Sequence, residues 1–96
     1  MRPSEVFEQN RKFVREAVTR YRTSNPRIFG SVLHGTDKDG SDIDILIDTL
    51  PGATLFDLIG LEQELEKKLG VPVQIVVADA LHRFIRDRVL SEARPI

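Results

Sequence analysis

Residues 29–48 read FGSVLHGTDKDGSDIDILID, and the fold turns on how this stretch is taken. It opens on Gly30-Ser31 and closes on Asp42-Ile43-Asp44 followed by apolar residues. The middle, Asp37-Lys38-Asp39-Gly40, resembles part of a calcium loop. An EF-hand loop needs ligands at positions 1, 3 and 5, glycine at 6 and a bidentate glutamate at 12. With Gly40 at the glycine position, Asp37 and Asp39 fall correctly, but the first ligand becomes Gly35 and the last becomes Leu46. A strand also follows where a helix is required. The calcium reading fails, and Asp37 to Gly40 become a connector.

The chemistry then sits at the two ends of the stretch. Glycine lets a phosphate approach the backbone, and a serine hydroxyl beside it can donate to phosphate oxygens. A strand, Gly-Ser and turn is a weak signal alone. Asp42 and Asp44 strengthen it, because residues two apart on a strand share a face and their carboxylates can converge on one hard cation. Magnesium is held by one or two carboxylates plus substrate phosphates and water. Two aspartates entering an apolar strand are costly if buried without partners.

Working outward, residues 4–22 predict one helix, with Ser4 as N-cap and Val6, Phe7, Phe13, Val14, Ala17, Val18 and Tyr21 on one stripe. Thr23-Ser24-Asn25-Pro26 ends it. Arg27 to Phe29 reads as a short strand, Val32 to His34 as a helical turn, 35–41 as a loop and 42–48 as a largely buried strand. Thr54 and Asp57 resemble a capping box opening a helix over 55–69, which Gly70 terminates. Residues 71–77 predict a strand with its proline near the start. Asp79 is expected to cap a last helix over 80–93, with Leu81, Phe84, Ile85, Val89 and Leu90 inward. The order α-β-β-α-β-α predicts an α/β (α+β) domain, a small mixed sheet with helices packed on it. The first two strands are too close for a parallel crossover and are expected to be antiparallel.

The 96 residues predict one domain spanning 1–96, with 41% apolar and 30% charged residues. The net charge of -1 argues against a basic nucleic-acid surface or a polybasic membrane patch. With no cysteine there is no disulfide, thiolate metal site or cysteine nucleophile. The N-terminal MRPSEVFEQNRKF has no apolar signal core, and no run approaches a membrane span. A cytoplasmic location is expected.

Gly30-Ser31, ten residues, then Asp42-Ile43-Asp44 resembles the GS-x10-D-x-D signature of the minimal nucleotidyltransferases of the DNA polymerase beta superfamily. The resemblance extends over nearly the whole chain, including its α/β order and closing helix. It implies that Gly30 and Ser31 hold a nucleoside triphosphate, and that Asp42 and Asp44 ligate Mg²⁺ and carry catalysis. A hydroxyl would attack the α-phosphorus in line, releasing pyrophosphate. Members of this size are often antitoxins paired with a HEPN-domain RNase toxin, and some add AMP from ATP to a tyrosine of that toxin. The resemblance therefore implies ATP, Mg²⁺ and a HEPN-type toxin as donor, cofactor and partner.

The sequence departs from the family at two places. Active members usually supply a third carboxylate from the later strand, where this chain has Gln74, neutral and a poor magnesium ligand. Asp48 lies four residues past Asp44, about 13 Å along a strand. Asp79 is placed at a helix cap, and Asp37 and Asp39 are expected in a mobile loop, free to swing in. The alternative is a fold that docks its partner with little or no transfer. A third reading is a subunit of a larger nucleotidyltransferase in which another chain binds the acceptor. His34 stands where many relatives carry arginine, and reads as a surface turn residue or a phosphate partner. His82 reads as part of a solvated face. Arg83, Arg86, Arg88 and Arg94, like Arg11, Lys12, Arg15, Arg20 and Arg22, read as a solvated face or a partner-docking one.

Overall fold

Three strand pairings, two of them made by the strand that follows Asp42, organise the chain. The computed structural model describes residues 1–96. Its elements are α1 (Pro3–Gln9), α2 (Arg11–Val18), β1 (Thr23–Phe29), α3 (Gly30–His34), β2 (Ile43–Thr49), α4 (Leu55–Leu69), β3 (Val73–Val77), a 3-10 turn (Ala78–Ala80), α5 (Arg83–Glu92) and β4 (Arg94–Pro95). The sheet order is β3-β2-β1-β4. β1 and β2 are antiparallel, as the short connection requires, with Phe29 opposite Asp44 and Ile28 opposite Ile45. β2 and β3 are parallel, joined through α4, with Asp44 opposite Gln74.

The period-2 alternation of β2 divides the side chains between the two faces of the sheet. Ile43, Ile45 and Ile47 join Ile28 and Val73 against Val14, Ala17 and Val18 of α2 and Leu61, Leu65 and Leu69 of α4. Leu46 points the other way, into a smaller cluster with Ala78 and Ala93, flanked by Phe29, Val76 and Val89. α5 thus covers only part of the second face. The capping box of α4 forms as expected: the Thr54 N–H donates to Asp57 Oδ2 at 2.9 Å. Gly70 ends α4 at φ +73, with its N–H on the Glu66 carbonyl at 2.8 Å.

Four expectations are corrected. The helix over 4–22 is two helices broken at Asn10, whose side-chain amide donates to the Val6 carbonyl at 2.8 Å, and the second ends at Val18. Such a side chain competes with the backbone ladder. Thr23 to Pro26 belong to β1 instead of ending a helix; the register shifts between Ser24 and Arg27, and that bulge accommodates Pro26. The last helix begins at Arg83, and His82, not Asp79, caps it: the Phe84 N–H donates to His82 Nδ1 at 3.2 Å. Phe84, Ile85 and Leu90 are exposed and only Leu81 and Val89 turn toward the second cluster. The short closing strand β4, paired with β1, carries no pattern long enough to be read in advance.

Candidate functional site

The sheet brings the two ends of the opening stretch together. Phe29, the last residue of β1, lies opposite Asp44 near the start of β2. The chain therefore turns into α3 at Gly30 directly beside the Asp44 carboxylate. Gly30 has φ +75, and a Cβ built on it would overlap Asp44 Oδ2. Both the backbone conformation and this contact demand glycine. Ser31 follows at the first turn of α3.

Asp42 is exposed and Asp44 half-buried. Burial pushes the Asp44 carboxyl above the ordinary aspartate value of 3.8, and the nearby charge of Asp42 adds to it. Nothing in the chain supplies a cation to offset the two charges. A divalent ion held by both carboxylates is the chemical complement of that pair, and two protein oxygens with phosphates and water is an ordinary magnesium donor set. No group of three histidine, aspartate or glutamate side chains converges anywhere.

The parallel register explains why. Gln74 sits directly opposite Asp44 on β3 and is exposed. Residues paired in a sheet project from the same face. A neutral amide therefore stands next to the carboxylate pair. The other acids are committed or distant. Asp48 is held by Asn25 at 3.0 Å and Arg27 at 2.7 Å, and those two partners keep its carboxyl below the usual range. Asp79 lies beyond the far end of β3, in the 3-10 turn. Asp39 is exposed in the loop.

Asp37 is the largest departure from expectation. It is not in a free loop: its side chain is fully buried against α1. The Ser4 N–H donates to one carboxylate oxygen and Arg2 Nη2 to the other, each at 2.9 Å. Composition alone marked this loop as mobile; the partner that orders it lies 35 residues away in sequence. His34, at the end of α3, has its Nε2 3.2 Å from Glu92 Oε2, which ties α3 to the end of α5.

Within the site Asp42 and Gln74 are exposed, while Gly30, Ser31 and Asp44 are half-buried. The two clefts of the surface lie elsewhere, one by Phe7, Arg11, Ile28 and Val32, the other by Arg15, Thr19, Thr23 and Ser24. Neither is lined by Gly30, Ser31, Asp42, Asp44 or Gln74. No helix is long and apolar enough to cross a membrane.

A mixed sheet with a Gly-Ser turn abutting paired aspartates is the architecture of a nucleotidyltransferase. The chain belongs to the nucleotidyltransferase domain family, whose description matches residues 10–96. Among its relatives is a candidate protein adenylyltransferase of Methanocaldococcus jannaschii, 42% identical over 66 residues, covering 69% of this chain and 71% of that protein. The protein adenylyltransferase MntA of Thermococcus cleftensis is 34% identical over 87 residues, covering 91% of this chain and 85% of that one. A solved candidate minimal nucleotidyltransferase superposes with a TM-score of 0.88 at 36% identity, over 97% of this chain and 95% of the other. A toxin–antitoxin crystal structure with AMP-PNP shares the fold at a TM-score of 0.77 and 20% identity, over 90% of this chain and 71% of that one.

Proposed function

We infer that this chain is the antitoxin of a toxin–antitoxin pair, transferring AMP from ATP to a hydroxyl of a HEPN-type toxin in the cytoplasm with Mg²⁺. The observation that supports this reading most is the apposition of Gly30 and Asp44, which brings the Gly-Ser turn against one of the two aspartates. The names of the adenylyltransferase relatives and the toxin–antitoxin neighbour support the same reading. In it, Gly30 and Ser31 seat the triphosphate, and Asp42 and Asp44 hold the ion. A magnesium ion held by Asp42 and Asp44 would supply charge neutralisation of the phosphates and polarisation of the α-phosphorus. The acceptor oxygen would bond to that phosphorus and give up its proton to solvent as the bond to the β-phosphate bridge breaks, and pyrophosphate would leave. The exposure of Asp42 and Gln74 suits an acceptor delivered by a separate protein.

The test is incubation with labelled ATP, Mg²⁺ and the partner encoded beside this chain. Label on the partner is expected, and its loss in Asp42→Ala and Asp44→Ala. Label that persists in both variants would overturn the assignment of these carboxylates.

One observation favours a second reading. Gln74 occupies the position next to Asp44 where a third carboxylate is expected, and no other acid reaches it. The chain would then neutralise its toxin by docking, with weak transfer or none. A partner bound and inhibited without label selects this reading.

A further inference from the structure

The two halves of the candidate site come from opposite ends of one short segment. Gly30 and Ser31 are held by the β1–α3 junction, and Asp44 by its sheet neighbours on both sides. Asp42 has no such support. It precedes the first paired residue of β2, Ile43, whose N–H donates to the Pro72 carbonyl at 2.9 Å. Its position is set by the loop that leads to it.

That loop has little internal structure. Lys38, Asp39 and Gly40 are exposed, and its own closure amounts to Lys38 N–H on Ser41 Oγ and Ser41 N–H on the Lys38 carbonyl, each at 2.9 Å. What anchors it comes from outside. Arg2 donates to the Asp37 carbonyl from Nε at 3.1 Å, and from Nη2 to the Gly35 carbonyl and to Asp37 Oδ1, both at 2.9 Å. The Ser4 N–H takes Asp37 Oδ2. The guanidinium fork thus grips the end of α3 and the loop at once, a geometry lysine cannot reproduce in full. Both anchoring residues precede the span matched by the family, 10–96.

We propose that Arg2 and Asp37 form a strap that positions Asp42 beside Asp44, so that the N-terminal turn of α1 governs the metal-dependent part of nucleotide binding. They are positioning residues: neither touches the site. The proposal rests on the functional reading above, which makes Asp42 a metal ligand. Asp44, fixed by the sheet, is left in place when the strap is cut.

The experiment compares wild type with Arg2→Ala, Arg2→Lys and Asp37→Asn. AMP-PNP is titrated by calorimetry with Mg²⁺ and again in EDTA, and amide hydrogen exchange is followed over residues 36–42 and 43–49. Direct hydrogen-bond partners of metal ligands typically change affinity about 10–100-fold, and a strap acting through the loop is placed at the lower end of that range. Arg2→Ala is expected to weaken binding with Mg²⁺ by about tenfold, to leave binding in EDTA unchanged and to speed exchange in 36–42 but not in 43–49. Arg2→Lys should recover part of the loss. A general loss of fold would speed exchange in both segments and weaken both titrations, and would overturn the proposal. So would wild-type affinity and wild-type exchange in Arg2→Ala and Asp37→Asn. A wild type that binds no AMP-PNP under either condition sinks the nucleotide reading itself, and with it the role of the strap in binding; the exchange data alone then judge whether the strap orders the loop.

Discussion

Gly30→Ala probes the apposition on which the site depends, and Gly70→Ala is its internal control. The two glycines have nearly the same backbone, φ +75 and +73, but a Cβ at Gly30 meets the Asp44 carboxylate whereas one at Gly70 meets nothing within 4 Å. An L-residue in this conformation costs about 1–2 kcal/mol. Reduced freedom of the unfolded chain offsets about 0.4–1 kcal/mol of that. Gly70→Ala should therefore lose about 1 kcal/mol. At Gly30 the Asp44 side chain must also leave its preferred rotamer, adding about 1 kcal/mol. For a domain of this size the Tm should fall by about 5 °C in Gly70→Ala and about 10 °C in Gly30→Ala. Urea and thermal unfolding measure both, and calorimetry with Mg²⁺ and AMP-PNP measures the functional consequence. Only Gly30→Ala should lose nucleotide affinity, by tenfold or more, because it alone displaces a proposed metal ligand. Equal stability losses in the two variants, with nucleotide affinity intact in both, would refute the reasoning.

Gln74→Asp puts an acid beside Asp44, and a large gain in labelled transfer to the proposed partner is expected; no gain counts against the third-carboxylate argument. Stability should fall on acidification, followed as the urea midpoint against pH. The Asp37 carboxyl is held below its ordinary 3.8 by the Ser4 N–H and by Arg2, and Asp48 by Asn25 and Arg27, so their contributions are complete above that value and are lost as pH drops through the lower folded values. Asp37→Asn should flatten that acid slope, and an unchanged slope would show the buried pair to be inert. In the core, Ile45→Ala should cost about 2–5 kcal/mol, whereas Phe84→Ala, at a residue 78% exposed, should stay within about 0.5 kcal/mol; a large loss at Phe84 would mean that α5 packs differently.

The sequence carried the element order because its periodic segments are strong. Ile43, Ile45 and Ile47 alternate as a strand must, and Leu58, Leu61, Leu65 and Leu69 recur as a helix must. It did not carry what depends on distant partners. Nothing near Asp37 announces that Arg2 will bury it. Nothing in Phe84, Ile85 and Leu90 distinguishes an apolar face turned to the core from one turned outward, since periodicity marks a stripe and not its destination. Asn-Pro looks like a terminator because the bulge that admits it into β1 is a property of the pairing with β2. The candidate site was legible as residue types and spacing. That Gly30 lies against Asp44 followed only from strand register, which also sets Gln74, read in the sequence as the third-carboxylate position, directly opposite Asp44.

The exposure of Gln74 has an evolutionary consequence. In the standard genetic code glutamine and glutamate codons differ by one base. The backbone at this position is held by the parallel pairing and the side chain packs against nothing in the core. A single point mutation therefore exchanges amide for acid with almost no burden on folding. If the acid completes the proposed chemistry, a lineage of such proteins can pass between a modifying and a purely docking form in one step, in either direction, without rebuilding its scaffold.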